Sequence, residues 1–247
     1  MYARAWRPAI GWPAYARRLW RRNALTISYL AILLIVAVVL QAVGARERAD
    51  IVAMSSTNLT NLQRRPIFVL IVSAFLVPSV FGLYILVPLA CSLGWCERWL
   101  GRASTVVIFL MGHVGATLMV AAIQASHLYH DRVDASIREA ADVGVSYGMF
   151  ATFGLLVARV PTRRRPYYIA GGFLLVVALG RHVDFTALGH VTALLLGLLV
   201  AVIALAARRA PVAQPLTALS SPAPDKIEIS SQSGAVEVRE GLGSRSP

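Results

Sequence analysis

Long runs of apolar residues constrain this chain more than any other feature. About 20 residues in an α-helix cross the ~30 Å hydrocarbon core of a bilayer. None of the apolar runs here alternates polar and apolar residues, as the strands of a membrane β-barrel do. The sequence therefore predicts an all-α polytopic membrane protein with six transmembrane helices. We number them spans 1 to 6, at residues 25–43, 66–90, 104–124, 144–160, 167–180 and 185–207.

The rest of the chain predicts three further segments. Residues 1–24 are rich in arginine and tryptophan, which favour the headgroup zone of a membrane. Residues 44–65 are polar and predict a loop. Residues 210–247 are dominated by proline, serine, glycine and charged residues, so we expect a disordered cytoplasmic tail. The predicted organisation is therefore a basic lead at 1–24, a membrane domain at 25–209 and a tail at 210–247.

The placement of the charges indicates membrane contact and not nucleic-acid binding. The formal net charge is +12, and Lys226 is the only lysine. The arginines cluster at the ends of the spans, which is typical of orientation signals and lipid headgroup contacts. Placing those clusters inside predicts a multi-pass protein of the plasma membrane with both termini cytoplasmic, although the arginines of loop 44–65 depart from this rule. The inside segments are then residues 1–24, 91–103, 161–166 and 208–209.

The metal and disulfide signals are weak. Cys91 and Cys96 lie beside a predicted cytoplasmic turn, where disulfides are rare. The sequence contains no CxxC pattern. His127 and His130 lack further clear ligands near them in the sequence. We therefore expect no metal and no cofactor.

A candidate nucleophile and a candidate base lie near the beginnings of two different spans. Ser146 is two residues past the start of span 4, and His190 is about five residues into span 6. Both spans run in the same direction, so both residues lie within roughly 10 Å of the outer face. A serine hydroxyl becomes a useful nucleophile when a base takes its proton, and histidine is the usual base. We therefore expect Ser146 and His190 to meet inside the membrane.

Small residues in both spans favour this meeting. Gly144 and Gly148 lie one turn apart on span 4, and span 6 carries a similar stripe. Such faces let two helices approach closely. The free backbone N–H groups at the start of span 4, near Val145 and Ser146, are candidate donors to an oxyanion. The stripe on span 6 consists of Gly189, Ala193 and Gly197.

Other interpretations remain open. Glycine and serine are common in spans for packing alone, and the G-x-S-x-G pattern of soluble hydrolases needs a strand–turn–helix context that is absent here. His113, near the middle of span 3, either donates to an oxyanion or bonds a backbone carbonyl. Asp142 and Asp184 either orient a histidine or act as helix caps. A transporter with a polar path is disfavoured, because spans 4 and 6 turn apolar below the candidate pair.

Beyond these physical arguments, the chain resembles the rhomboid family of intramembrane serine proteases at Gly144-Val145-Ser146 and at Gly189-His190. That family carries G-x-S-G on its fourth helix and A-H-x-x-G-x-x-x-G on its sixth. The chain is more similar still to divergent rhomboid-like membrane proteins of actinobacteria. The elements similar to that group are Thr57-Asn58-Leu59, Glu97-Arg98-Trp99-Leu100-Gly101, His113-Val114-Gly115-Ala116-Thr117, the residues from Asp142 to Gly148, and Gly189-His190.

The resemblance implies a six-helix rhomboid-like bundle that cuts transmembrane proteins near their outer ends. Ser146 would be the nucleophile and His190 its base, without a third catalytic acid. The chain departs from the family where Tyr147 replaces a glycine, and span 2 has neither the histidine nor the asparagine of the family's H-x-x-x-N. The candidates for oxyanion or accessory roles are therefore His113, Val145 and Gly144. The alternative is an inactive rhomboid-like protein that binds membrane clients.

Overall fold

The predicted all-α membrane fold is confirmed. A computed structural model describes residues 12–77, 80–130, 133–134, 142–179 and 185–209. Its α-helices are α1 (Trp12–Ala42), α2 (Ala45–Ser55), α3 (Leu59–Arg64), α4 (Pro66–Ser73), α5 (Leu86–Leu100), α6 (Arg102–Tyr129), α7 (Val145–Leu155), α8 (Arg165–Leu179) and α9 (Phe185–Arg209). Short 3₁₀ helices occupy Val80–Ile85, Leu156–Arg159 and Thr162–Arg164.

Within the described residues, three helices are long and apolar enough to cross a membrane. They are Ala14–Ala42 within α1, Arg102–Tyr129, and Phe185–Arg208 within α9. They correspond to predicted spans 1, 3 and 6. Span 4 corresponds to the shorter apolar segment Val145–Arg159, and span 5 to α8.

Span 2 is divided, whereas the sequence predicts one helix. Helix α4 ends at Ser73, and α5 begins only at Leu86. Backbone carbonyls released near the end of α4 need other partners inside a membrane. Ser73 O accepts from Gly144 N at 3.3 Å, and Ala74 O accepts from the Tyr29 hydroxyl. The division therefore supplies acceptors to neighbouring elements. Residues 78 and 79 of span 2 lie outside the described residues.

The segment predicted as a polar loop at 44–65 instead forms α2 and α3. Asn58 caps α3 by accepting from Asn61 N at 2.8 Å, which is the usual stabilisation of a helix start. Ser56, Thr57 and Asn58 are buried, although they are polar. Their hydroxyl and amide groups make hydrogen bonds, so polarity alone did not reveal that this stretch packs inward.

Helix α1 is divided at Asn23, where the backbone has φ −139° and ψ 32°. The carboxylate of Glu97 accepts from Leu25 N at 2.9 Å, from Thr26 N at 2.9 Å and from Thr26 Oγ1 at 2.8 Å. Glu97 therefore caps the membrane-crossing part of α1, because a carboxylate is stabilised by the free N–H groups of a helix start. The division separates an arginine-rich interfacial part from the apolar span.

One end of the bundle is rich in arginine. Arg21 and Arg22 of α1 share a pocket with Arg98 and Arg102 at the α5–α6 junction. The guanidinium groups of Arg159 and Arg208 lie 5.5 and 5.6 Å from the Trp99 ring. We call this side the arginine-rich end. It brings together residues from the lead, the 91–103 turn and the last turns of span 4 and span 6.

Helix α7 lies at the centre of the bundle. It packs mainly against α6 and α9, and its residues are buried except for the partly buried Phe153. A helix that is apolar on every side is typical of such a position. The predicted disordered tail at 210–247, residues 1–11 of the lead, and Asp184 lie outside the described residues. The bundle thus places the first turn of α7 between neighbours on several sides.

Candidate active site

Ser146 and His190 lie next to each other. Ser146 is the second residue of α7 and His190 the sixth of α9. His190 Nε2 and Ser146 Oγ are 2.8 Å apart, and the two residues are 8% and 4% exposed. The serine hydroxyl donates to Nε2 when the ring proton is on Nδ1. This is the distance that a nucleophile and its base require.

Aromatic rings hold the His190 imidazole from two sides. The Phe150 ring centroid lies 4.8 Å from the imidazole centroid at an interplanar angle of 43°. The Tyr147 ring lies 5.5 Å away at 72°. Both aromatic side chains are fully buried. Their packing limits rotation of the imidazole and so keeps Nε2 directed at Ser146.

Two of the sequence's departures from the rhomboid pattern compensate each other in space. Tyr147 stands where that pattern has glycine, and Gly189 stands where it has alanine. A Cβ atom on Gly189 would collide with the phenol ring of Tyr147. The missing methyl group at 189 therefore provides the space that the larger residue at 147 needs.

The segment before α7 is anchored at Asp142. Its carbonyl oxygen accepts from Thr57 N at 3.0 Å, from Ser56 Oγ at 3.0 Å and from Thr57 Oγ1 at 3.2 Å. Its N–H donates back to Ser56 Oγ. The Asp142 carboxylate accepts from the Tyr147 hydroxyl, at 2.9 and 2.8 Å to its two oxygens. These bonds fix the chain four residues before Ser146 and link Asp142 to a ring that touches His190.

His113 contacts main-chain carbonyls of two elements. Its Nε2 lies 2.8 Å from Leu70 O and 3.4 Å from Ser73 Oγ, and its Nδ1 lies 3.2 Å from Gly144 O. The ring is fully buried. His113 therefore joins α6 to the end of α4 and to the residue before α7. This geometry matches the carbonyl-bonding interpretation, while an oxyanion role for His113 stays a prediction.

Gly144 and Val145, the backbone oxyanion candidates, lie at the start of α7. Tyr147 N and Gly148 N donate to Gly144 O at 3.1 and 3.4 Å. Val145 and Ser146 come before Tyr147 in the helix. Because the first N–H groups of a helix have no acceptor within it, the N–H groups of these two residues lack an acceptor in α7. A Cβ atom on Gly144 would collide with the His113 ring, so this position holds only glycine without rearrangement.

The packing residues predicted from sequence contact different helices. A Cβ on Gly197 of α9 would collide with the Ala151 carbonyl of α7, so the two backbones approach closely there. Ala193 of α9 is fully buried. Gly148 faces the Phe109 ring of α6 and not α9. The small residues therefore bring α7 close to both neighbours, whereas the sequence argument considered only the contact between spans 4 and 6.

A cavity of about 190 Å³ borders the pair. Ser146 and His190 form part of its wall together with Asp142 and residues of the 3₁₀ helix Val80–Ile85, α8 and α9. The other walls are mainly apolar, and they include Leu76, Val77, Tyr84, Ile85 and Leu179.

Sequence reasoning missed three kinds of residue at this site. Phe150 follows Ser146 by four residues, and this spacing could have predicted a side chain on the same helix face as the serine. Ser56 and Thr57 were placed in a loop, since no local pattern shows that they bond Asp142, which is 86 and 85 positions away. Leu70 contributes only its backbone carbonyl, which a sequence pattern cannot indicate.

Comparison with known proteins identifies the family. A family model described as a rhomboid-like protein matches residues 18–210. No curated protein and no solved structure matches the chain. The matched region begins before Asn23 in α1 and extends past the end of α9, so it contains every residue of the candidate site.

Proposed function

Because the chain belongs to the rhomboid-like protein family, we propose that it is an intramembrane serine protease with a Ser146–His190 dyad. The observation that supports this most directly is the 2.8 Å distance between Ser146 Oγ and His190 Nε2. A buried serine–histidine pair beside a cavity is the minimum arrangement for nucleophilic acyl transfer. The aromatic rings of Phe150 and Tyr147 add rigidity to the base.

The proposed reaction begins with the transfer of the hydroxyl proton of Ser146 to His190 Nε2, its hydrogen-bond partner. Ser146 Oγ attacks the carbonyl carbon of a peptide bond while its proton moves to His190 Nε2. The tetrahedral intermediate collapses, the C–N bond breaks, and His190 gives the proton to the leaving amine. Water then attacks the acyl-serine ester, again through His190, and releases the second product. The complete reaction consumes only water and the substrate.

The negative charge on the intermediate needs hydrogen-bond donors. The N–H groups of Val145 and Ser146 at the start of α7 are available for this role in our proposal, and a helix N-terminus favours an anion. His113 is the accessory candidate that remains from the sequence. Its nitrogens already contact Leu70 O and Gly144 O, which favours the backbone groups over His113.

The proposed substrates are transmembrane proteins cut near the outer end of a span. Ser146 and His190 lie in the first turns of α7 and α9, at the end of these helices opposite Arg159 and Arg208. Arginine-rich ends of membrane proteins face the cytoplasm by the positive-inside rule. We therefore propose a plasma-membrane location with both termini cytoplasmic and cleavage toward the opposite surface.

Labelling with a fluorophosphonate tests this proposal. Such a reagent forms a bond with a serine oxygen whose proton a base removes, so we expect the wild-type chain to be labelled. Ser146→Ala and His190→Ala should both abolish labelling. Ser92→Ala is the matched control, because Ser92 is also a buried helical serine but donates to Leu89 O at 3.2 Å. A folded wild-type protein that is not labelled would refute the protease proposal.

A second function is favoured by two features: Tyr147 stands where the rhomboid pattern has glycine, and the His113 nitrogens contact the carbonyl oxygens of Leu70 and Gly144. The bulky Tyr147 follows the serine directly. If these side chains prevent an oxyanion from forming, the chain is a rhomboid-like protein that binds membrane clients without cutting them. Crosslinking from a photoreactive residue at position 84, beside the cavity, distinguishes the two functions. Recovery of intact clients, in the same amount from the wild type and from Ser146→Ala, would support binding without cleavage.

A further inference from the structure

A second cavity, separate from the one that borders the dyad, opens on the outside of the bundle. Its volume is about 340 Å³, and its walls come from α1, α4, α5 and α6. Several wall residues are also exposed on the outer surface of the helices, including Ile32, Ile71 and Leu110. We call this space the apolar groove. Its lining is almost wholly apolar, so in a bilayer the groove is open to lipid chains.

Directly beyond one end of the apolar groove lies a pocket of opposite character. This pocket has a volume of about 390 Å³ and is lined by residues of the α1 lead and the α5–α6 junction. Four guanidinium groups and one carboxylate give it a formal net charge of three positive charges. We call it the arginine pocket, and its lining residues are Arg21, Arg22, Glu97, Arg98, Gly101 and Arg102.

The two spaces follow each other along the same three helices. On α6 the arginine pocket ends at Arg102, and the apolar groove begins one turn later at Thr105. On α5 the corresponding residues are Glu97 and Leu93, and on α1 they are Arg22 and Leu25. Residues three or four apart in an unbroken helix share a face, which applies to the pairs on α5 and α6 but not to α1, where Asn23 interrupts the helix. One elongated molecule can therefore occupy both spaces.

The dimensions match one leaflet of a membrane. On α6 the groove extends from Thr105 to Val114. The nine steps between these ten residues, at 1.5 Å rise each, cover about 14 Å, which is close to half of the ~30 Å hydrocarbon core. The groove therefore runs from the arginine-rich end to about the middle of the bilayer, as an acyl chain of the adjacent leaflet does.

The arginines retain donors for an anion. Glu97 directs its carboxylate at the start of the α1 span, through Leu25 N and Thr26 N. Arg98 uses one donor on Asn23 Oδ1 at 3.0 Å, and Arg102 lies 3.5 Å from Glu97 with its side chain 60% exposed. A guanidinium group has five N–H donors and matches the oxygen geometry of phosphate.

We propose that the arginine pocket and the apolar groove together form a binding site for one anionic phospholipid, with its phosphate headgroup at the arginines and an acyl chain in the groove. Charge complementarity identifies the headgroup class, and the apolar leaflet-length groove identifies the chain. Lipid bound there spans α1, α4, α5 and α6, so it stabilises the side of the bundle on which α1 packs mainly against α5.

The experiment measures lipid retained by the purified full-length chain. Native mass spectrometry is carried out with phosphatidylglycerol and with phosphatidylcholine of identical acyl chains. We expect one phosphatidylglycerol to be retained per chain in preference to phosphatidylcholine. Each basic residue near an anionic headgroup contributes roughly five-fold in affinity, so the double variant Arg21→Gln/Arg22→Gln should bind roughly 25-fold more weakly. Arg163→Gln/Arg164→Gln removes two exposed arginines outside the pocket and should not change binding.

A second pair of variants tests the groove. Val106 lines the groove and Val107 does not, so Val106→Trp should displace the lipid while Val107→Trp should retain it. Ile71→Trp, on the α4 wall, gives a second blocked groove if Val106→Trp does not fold. Equal retention of both lipids, or full retention with the groove blocked at either position, would overturn the proposal. Displacement of phosphatidylglycerol by millimolar inorganic phosphate alone would show a free anion site and overturn it as well.

Discussion

Two buried histidines in the same bundle have different kinds of partner. His190 Nε2 faces a serine hydroxyl at 2.8 Å, whereas the nearest partner of each His113 nitrogen is a carbonyl oxygen, Leu70 O for Nε2 and Gly144 O for Nδ1. A carbonyl oxygen only accepts, so it holds a proton on the ring. A hydroxyl can give its proton away. Within a membrane, therefore, the partner of a histidine indicates its role better than its burial does.

The two histidines are nevertheless connected through the start of α7. Gly144 O contacts His113 Nδ1, and Ser146 follows Gly144 by two residues. Gly144 N also donates to Ser73 O, next to the bonds that His113 makes with α4. His113 therefore positions the backbone that carries Ser146, while His190 contacts the Ser146 hydroxyl oxygen itself. We therefore expect the loss of His113 to reduce mainly stability and the loss of His190 to reduce mainly reactivity.

The largest expected effect separates the two histidines directly. His190→Ala removes the proposed base, so fluorophosphonate labelling of folded protein should fall by a factor on the order of 10³ or more. His113→Ala should instead lower the free energy of unfolding by about 2–4 kcal/mol, because buried carbonyls lose a donor and a cavity remains. Labelling of the His113→Ala protein that stays folded should change less than about ten-fold. Labelling rates and thermal unfolding in detergent are measured on the same monodisperse fractions.

A conservative variant decides the role of His113. In His113→Gln a side-chain amide can still donate to Leu70 O, so the protein should keep more of its stability than His113→Ala. If His113→Gln folds normally and loses labelling as fully as His190→Ala, His113 stabilises the oxyanion and the comparison fails.

The next effect concerns the space between Tyr147 and Gly189. Gly189→Ala places a methyl group against the phenol ring, and overpacking of this kind costs about 2–3 kcal/mol. In a Tyr147→Gly background the ring is absent, so the same change should cost much less. The two positions should therefore show a coupling of about 1–3 kcal/mol in a double-mutant cycle measured by thermal unfolding.

A glycine elsewhere provides the control for this cycle. A Cβ on Gly171 of α8 would meet nothing within 4 Å. Gly171→Ala should therefore leave stability unchanged or raise it by up to about 1 kcal/mol, since alanine favours helix over glycine. Additive losses at 147 and 189 would mean that the two departures from the rhomboid pattern arose independently of each other's packing.

The general fold and the central pair were accessible from the sequence for one physical reason. Apolar run length reports helices in lipid, because the backbone must satisfy its own hydrogen bonds there. The same rise per residue placed Ser146 and His190 at one level, and they lie within hydrogen-bond distance. The catalytic role itself stays a proposal.

The sequence failed where the structure depends on long-range polar bonds. The division of span 2 between Ser73 and Leu86 accompanies bonds from Gly144 and Tyr29 to α4, which no local pattern contains. The helices in the expected loop 44–65 were missed because a polar stretch usually indicates exposure. Ser56 is nevertheless fully buried, because its hydroxyl donates to Asp142 O and accepts from Asp142 N.

The smallest effect tests whether Asp142 acts on His190 through Tyr147. Tyr147→Phe keeps the ring against the imidazole and removes the bond to the Asp142 carboxylate, so we expect a stability loss of about 1.5 kcal/mol and less than a ten-fold change in labelling. Tyr168→Phe is the matched control, since it removes a hydroxyl that donates to Phe153 O at 3.1 Å, away from the dyad. A loss of labelling above 100-fold in Tyr147→Phe alone, with stability unchanged, would show that the Tyr147 hydroxyl and Asp142 carboxylate control the base. His190 would then owe its reactivity to a third residue, and the contrast with His113 would extend beyond the immediate partner.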